Sequence, residues 1–240
     1  TVPSFLREHV SVSFLSSFKT EASARYLYEI STRDDVLMLP ENIGLPMVLI
    51  PYRLVGGGTN CLFAFDEYDG ILIHNRLSGY SEPYDHDGRK YITVQSGEIT
   101  TALAVKLYQH YSISTLIPWV GLPGTMGGAC IGNAGCFGLE MQDLLVEAHI
   151  LDLETGEITK YSKSDMGYRY RESVLKGSER YFVIDMTLDI YHAEESTSPT
   201  LQPISNPSVS LSNLLDFPVD RFTKIHASKA IMSLSDDTKD

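Results

Sequence analysis

Apolar residues recur at two spacings along this 240-residue chain, and the spacing divides it into strands and helices. Alternation with period two marks Ala24–Ile30, Gly70–Leu77, Tyr91–Gly97 and Tyr181–Tyr191 as strands. In the last of these Phe182, Ile184, Met186, Leu188 and Ile190 are expected on one face. Leu144–Leu153 and Glu157–Tyr161 flank Glu154-Thr155-Gly156, the turn of an expected hairpin. Met47–Ile50 and Arg53–Val55 read as shorter strand pieces. Helical spacing is clearest over Glu98–Tyr111, where Leu103, Ala104, Leu107 and Tyr108 share a face. Ser31 or Thr32 offers an N-cap to a short helix with Asp34 and Asp35 in its first turn, running toward Asn42 and stopping at Gly44. Residues 1–23 show no dominant period, and Tyr80–Lys90 reads as polar turn.

Strands outnumber helices and do not alternate strictly with them, so the expected fold class is α+β. The pattern suggests a small unit over 1–70 and a larger mixed-sheet unit over 71–191. Beyond His192 the character changes: Glu194–Asn213 is rich in Ser, Pro and Thr and reads as linker, and Pro218 opens a helix toward Met232. Residues 192–240 are thus expected as linker and C-terminal helix.

Two glycine clusters punctuate this plan. Gly56-Gly57-Gly58-Thr59-Asn60 follows Leu54-Val55, and Val120–Gly138 reads VGLPGTMGGACIGNAGCFG, without a charge. Glycine is costly to order, so such density implies repeated tight turns or a backbone lying against something bulky. Successive main-chain N–H groups in such loops make anion-binding concavities. One loop from each unit suggests an extended phosphate-bearing ligand held between them; the competing reading is two tight turns in a packed protein. The first loop is not a Rossmann fingerprint, because Cys61 stands where glycine is needed. No Gly-Lys-Ser/Thr, GxSxG, HExxH or EF-hand pattern occurs.

Composition narrows the classes further. With 43% hydrophobic and 21% charged residues the chain is of ordinary globular type. A net charge of −12 argues against nucleic acid and acidic membrane as partners. An anionic small ligand stays open, since backbone amides can neutralise it locally. Cys61, Cys130 and Cys136 are odd in number and lack CxxC spacing, so they read as buried thiols, not disulfides or a zinc site. The seven histidines lack ligand spacing, and no metal is implied. No apolar run reaches membrane-span length. Trp119 reads as core; Tyr168 and Tyr170 are the aromatics expected near a ligand ring.

Three segments together resemble a known family. Leu54–Phe63 (LVGGGTNCLF), Gly121–Gly138 (GLPGTMGGACIGNAGCFG) and Tyr168–Lys176 (YRYRESVLK) are similar, in order and spacing, to the UDP-N-acetylenolpyruvoylglucosamine reductase (MurB) family. The resemblance covers roughly Glu21 to Tyr191. It implies a two-subdomain FAD-binding fold of the vanillyl-alcohol-oxidase type. FAD contacts are implied at Gly56, Gly57, Gly58, Thr59 and Asn60, and at Pro123, Gly124, Thr125, Gly127, Gly128, Asn133, Ala134 and Gly135. It also implies a cytoplasmic reaction in peptidoglycan synthesis: NADPH reduces the flavin, which passes hydride to the enolpyruvyl group of a UDP-sugar to give UDP-N-acetylmuramate. Arg171, in Tyr170-Arg171-Glu172-Ser173, matches the family's active-site arginine, a fixed cation for charge developing near the substrate carboxylate. Arg169 replaces a usual glycine.

The chain also departs from the family. A third domain with a proton-donating serine and a late glutamate follows in the family, and this chain stops before both. The family's Asn-Thr-Phe is replaced by Ser16-Ser17-Phe18. The expectation is therefore the FAD-binding part of a reductase, catalytically incomplete as given. The alternatives are an FAD module or oxidase of the same fold with another partner, or a fold that has lost its flavin. A covalent flavin link through Cys136 is a further variant.

Overall fold

Burying one face of each strand requires something to cover it, and here two sheets cover each other. The computed structural model describes residues 3–44 and 50–191. Its first sheet contains β1 (Leu6–Ser11), β2 (Ser23–Ile30), β3 (Tyr52–Val55) and β4 (Glu67–Asn75), in the order β1-β2-β4-β3. β1 runs antiparallel to β2, while β2 and β3 both run parallel to β4. The second sheet contains β5 (Tyr84–His86), β6 (Arg89–Gln95), β9 (Leu145–Asp152), β10 (Ile158–Ser162) and β11 (Tyr181–Asp189), with a two-residue ribbon of β7 (Gly135–Cys136) and β8 (Leu139–Glu140) to the side. Its order is β10-β9-β11-β6-β5, antiparallel throughout. Four helices complete the frame: α1 (Arg33–Leu37), α2 (Thr100–Tyr111), α3 (Met126–Gly132) and α4 (Met141–Leu144).

Three apolar clusters stack through this arrangement. Tyr28, Ile30, Ile71 and Ile73 of the first sheet meet Leu151, Phe182 and Ile184 of the second. Beyond the first sheet, Leu27 and Leu72 pack on Val12, Leu15 and Phe63. Beyond the second, Ile92, Val94, Met186 and Leu188 pack on Leu103, Leu107, Trp119 and Cys130. The second sheet is therefore covered on both faces, and β11 at its centre is buried at six of its nine positions.

Several elements differ from the sequence pattern. The five apolar residues of Tyr181–Tyr191 do not share a face: Val183 pairs with Ile150 and Asp185 with His149, so Ile184 is an extra residue, a bulge that reverses the alternation. Phe182 and Ile184 face the inter-sheet core, while Met186 and Leu188 face α2. The helix after Thr32 has the expected cap, reciprocal with Asp35, but ends at Leu37. Pro40 cannot continue it, and a wide-turn segment, Pro40–Gly44, follows. The unassigned N-terminus supplies β1, and the polar stretch Tyr80–Lys90 supplies β5 through a turn with Asp87 and Gly88 both at positive φ. The division at 70/71 cuts β4, which belongs wholly to the first sheet. Of Met47–Ile50 only Ile50 is described; the linker and helix expected over 192–240 lie outside the described residues.

Candidate functional site

β3 ends at Val55, at the carboxyl edge of the parallel strands, where open sheets present ligand crevices. There the backbone breaks into Gly56–Asn60. Gly58 has φ +63, and a Cβ on it would lie 1.9 Å from the Leu15 carbonyl oxygen. The Gly58 carbonyl accepts from Ser17 N–H at 3.2 Å and Cys61 N–H at 3.3 Å. The Thr59 N–H shares that trans peptide plane and so points the opposite way. Among the described residues, none of the five consecutive N–H groups from Gly56 to Asn60 donates to a protein acceptor.

The second cluster is not a plain loop, because α3 forms inside it. The chain turns at Pro123-Gly124, and the Gly124 carbonyl accepts from Thr100 N–H at 3.1 Å, which turns the Thr125 N–H the other way. Among the described residues the N–H groups of Gly124, Thr125 and Gly128 have no protein acceptor. Thr125 is the N-cap of α3, yet its hydroxyl does not cap the helix. That hydroxyl lies 2.6 Å from where a Gly56 Cβ would be, and a Gly57 Cβ would lie 3.1 Å from Gly124 Cα. The two loops therefore touch backbone to backbone and leave no space for larger residues at Gly56 and Gly57. Between them opens a pocket of about 220 Å³ lined by Gly57, Thr59, Ile99, Thr101, Leu122 and Thr125, among others.

Not every expected contact serves this pocket. The Gly127 N–H donates to Ser96 O at 2.7 Å, and a Cβ there would strike Ser96 at 2.8 Å, so Gly127 lets α3 lie on the second sheet. Asn133, Ala134 and Gly135 sit at the far end of α3, about 10 Å along its axis. Asn133 is fully buried in a left-handed C-cap. Its amide donates to Glu140 and to the Arg169 carbonyl, and its carbonyl accepts from Gln142 N–H. The Ala134 N–H returns to Ala129 O, and a Cβ on Gly135 would lie 2.5 Å from Leu139 O. These three are framework for the segment that carries Arg171.

That segment is a tight hairpin, Arg169–Glu172, strapped to the end of α3. Tyr168 Oη donates to Cys130 O at 3.0 Å and Ser173 Oγ to Ile131 O at 2.6 Å, satisfying carbonyls a helix end leaves open. Arg171 stands at the tip with φ 55 and donates Nη2–H to Gly135 O at 2.8 Å, while Lys176 Nζ donates to its carbonyl. The rest of the Arg171 guanidinium is exposed, beside the Tyr170 ring. Arg169 is exposed, and Trp119 is core, its indole N–H on Leu139 O. Burial pushes the thiols of Cys130 and Cys136 up to about 11, Arg171 partly offsetting this at Cys136. Both thiols are therefore protonated at neutral pH. Burial, reinforced by Cys130, also drives the Tyr168 phenol far above its usual value.

The sequence reading missed Ser17, Ser96, Thr100, Thr101 and Ser173, small polar residues whose hydrogen bonds aim the loops. Ser96, Thr100 and Thr101 lie outside every quoted motif, Ser17 and Ser173 lie inside quoted segments without a role of their own, and only the contacts identify them.

A family model described as an FAD binding domain matches residues 49–162. The UDP-N-acetylenolpyruvoylglucosamine reductase of Vibrio parahaemolyticus is 31% identical over 187 residues, covering 77% of this chain and 52% of the relative. The crystal structure of the Thermus caldophilus UDP-N-acetylenolpyruvylglucosamine reductase superposes with TM-score 0.60 at 19% identity, over 96% of this chain and 70% of that one. Cholesterol oxidase from B. sterolicum superposes with TM-score 0.55 at 14% identity, over 79% and 39%. The fold is the α+β, two-subdomain FAD-binding fold of the vanillyl-alcohol-oxidase type. The chain spans about half the length of most of the curated relatives it matches. Among the described residues no helix is long and apolar enough to cross a membrane, and no group of His, Cys, Asp and Glu is placed to hold a metal.

Proposed function

We infer that this chain, which carries the FAD-binding part of the UDP-N-acetylenolpyruvoylglucosamine reductase family, holds FAD by the backbone of its two glycine loops and serves reduction of an enolpyruvyl UDP-sugar. One observation carries the cofactor part. Eight N–H groups on two touching loops lack a protein acceptor, beside a threonine hydroxyl that forgoes its own helix. Gly58 and Thr125 are buried and the other six residues are half-buried or exposed, so these N–H groups are open to a ligand, and such a set suits an anion with many acceptors, such as a diphosphate. The absence of side chains at Gly56, Gly57 and Gly124 lets backbone approach it closely. Gly56–Asn60, Gly124, Thr125 and Gly128 would donate, with Pro123 fixing the turn. Gly127, Asn133, Ala134 and Gly135 would keep α3 in place.

Bound FAD would supply hydride transfer between NADPH and the enolpyruvyl group, and addition of that hydride together with a proton would give UDP-N-acetylmuramate. Arg171 would hold the substrate carboxylate. Its Nη2 rests on Gly135 O, which fixes the guanidinium plane and leaves its remaining N–H groups to an anion. We place the reaction in the cytoplasm, in synthesis of the cell-wall precursor.

The test is anaerobic bleaching of the flavin by NADPH, followed by recolouring on addition of the enolpyruvyl UDP-sugar with the family's third domain supplied in trans. Recolouring at a substrate-dependent rate is expected. Arg171→Ala should leave bleaching intact and slow recolouring at least tenfold. Recolouring by dioxygen alone, with no response to the UDP-sugar, contradicts the reductase assignment and favours an oxidase.

A further inference from the structure

Carbonyl oxygens are a hazard in a pocket meant for a diphosphate, because their negative ends repel it. Leu122 presents the acute case. It precedes Pro123, so its peptide has no N–H to offer in exchange, and it lines the pocket between the loops. Its carbonyl has no backbone donor among the described residues. Two hydroxyls from the first turn of α2 occupy it instead. Thr100 Oγ1 donates at 2.5 Å and Thr101 Oγ1 at 3.0 Å, filling both lone pairs. The Thr101 oxygen also accepts from Gly121 N–H at 3.0 Å; the second acceptors of the two hydroxyls are farther off, Gly124 O at 3.2 Å from Thr100 Oγ1 and Trp119 O at 3.5 Å from Thr101 Oγ1. The Thr100 backbone N–H takes the Gly124 carbonyl in the same way. Both threonines are almost completely buried, at 1% and 4% exposure.

We propose that Thr100 and Thr101 are positioning residues for the diphosphate: their hydroxyls mask the Leu122 carbonyl and orient the Pro123–Thr125 turn so that its N–H groups, not its oxygens, meet the anion. This deepens the FAD reading and rests on it. Thr100 also accounts for the free Thr125 N–H: its backbone N–H holds the Gly124 carbonyl, which turns the N–H of that same peptide the opposite way.

The test uses the nearly isosteric Thr100→Val/Thr101→Val double variant of the full chain, with Thr100→Ser/Thr101→Ser as the conservative control. FAD dissociation constants are measured by quenching of flavin fluorescence, and apo-protein thermal midpoints alongside. The valine variant should bind FAD at least tenfold more weakly while the serine variant stays within threefold of the parent. A valine variant within twofold of the parent overturns the proposal, as does equal weakening in both variants. If the parent itself binds no FAD, the cofactor reading fails on its own. The masking claim is then judged from crystal structures: a Leu122 carbonyl that keeps its orientation in the valine variant overturns it, and one rotated into the pocket supports it.

Discussion

Three glycines separate space from conformation. Gly58 needs both: its φ is left-handed, and a Cβ would press on the Leu15 carbonyl. Gly88 has a left-handed φ but open space, and Gly128 sits in a helix with its nearest Cβ contact at an ordinary 3.7 Å. Gly88→Ala should cost about 1 kcal/mol of stability and leave flavin retention alone. Gly58→Ala should cost about 3 kcal/mol, since backbone must move, and lose flavin as well. Gly128→Val is the informative member, because the protein has room for its Cβ. It should fold with a thermal midpoint near that of the parent and yet release FAD. A folded Gly128→Val that keeps its full flavin content would remove Gly128 from the binding set. These roles were only half legible in the sequence: glycine density pointed to backbone binding, but nothing in Gly124-Thr125-Met126-Gly127-Gly128 says which glycine packs on protein and which is left to a ligand. Of the neighbours Gly127 and Gly128 only Gly127 meets Ser96, which leaves Gly128 as the proposed ligand-facing member.

At the scale of elements, α3 is held by what surrounds it. Three of its seven residues are glycine, the poorest helix former after proline, which is why the sequence reads as loop there. Tertiary contacts override that weakness: Gly127 docks on Ser96, and Tyr168 and Ser173 cap the far end. Tyr168→Phe removes one cap and leaves the Cys130 carbonyl short of a donor, so it should cost about 1 kcal/mol, read as a lower midpoint in urea. An unchanged midpoint would mean water replaces the phenol. The Asp152–Arg180 pair closes β9 onto the start of β11. Hydrogen bonds from Arg180 outweigh burial and hold the Asp152 carboxyl below its usual value. A depressed carboxyl stabilises the fold above its unfolded pKa and loses that contribution as pH falls through the folded value. The parent should therefore lose stability below about pH 4 more steeply than Asp152→Asn. Parallel acid limbs would remove the pair from acid unfolding. β2 and β6 were legible as strands from their alternation. β1 was not, since four of its six residues are exposed and one more is half-buried. The β11 bulge was not, because an inserted residue leaves an apolar run unbroken while exchanging its faces.

Across the whole molecule, the glycine loops come from different sheets and meet because the sheets share a core. Leu151, Phe182 and Ile184 pack on Ile30, Ile71 and Ile73, while Arg33 reaches Asp185 across the junction. FAD is therefore expected to bind a junction already fixed by apolar packing, with little rearrangement. The motif triplet made the likeness to the reductase family and the FAD-binding fold legible from the sequence, whereas the hydroxyls that aim the loops depend on contacts between residues 20 and more apart. The central claim is that these two loops hold FAD by their backbone, and it is tested most directly by one visible absorption spectrum. The purified chain is mixed with FAD, desalted and scanned, with circular dichroism confirming the fold. The account predicts flavin bands that survive desalting, near one flavin per chain. A folded chain that emerges colourless contradicts it.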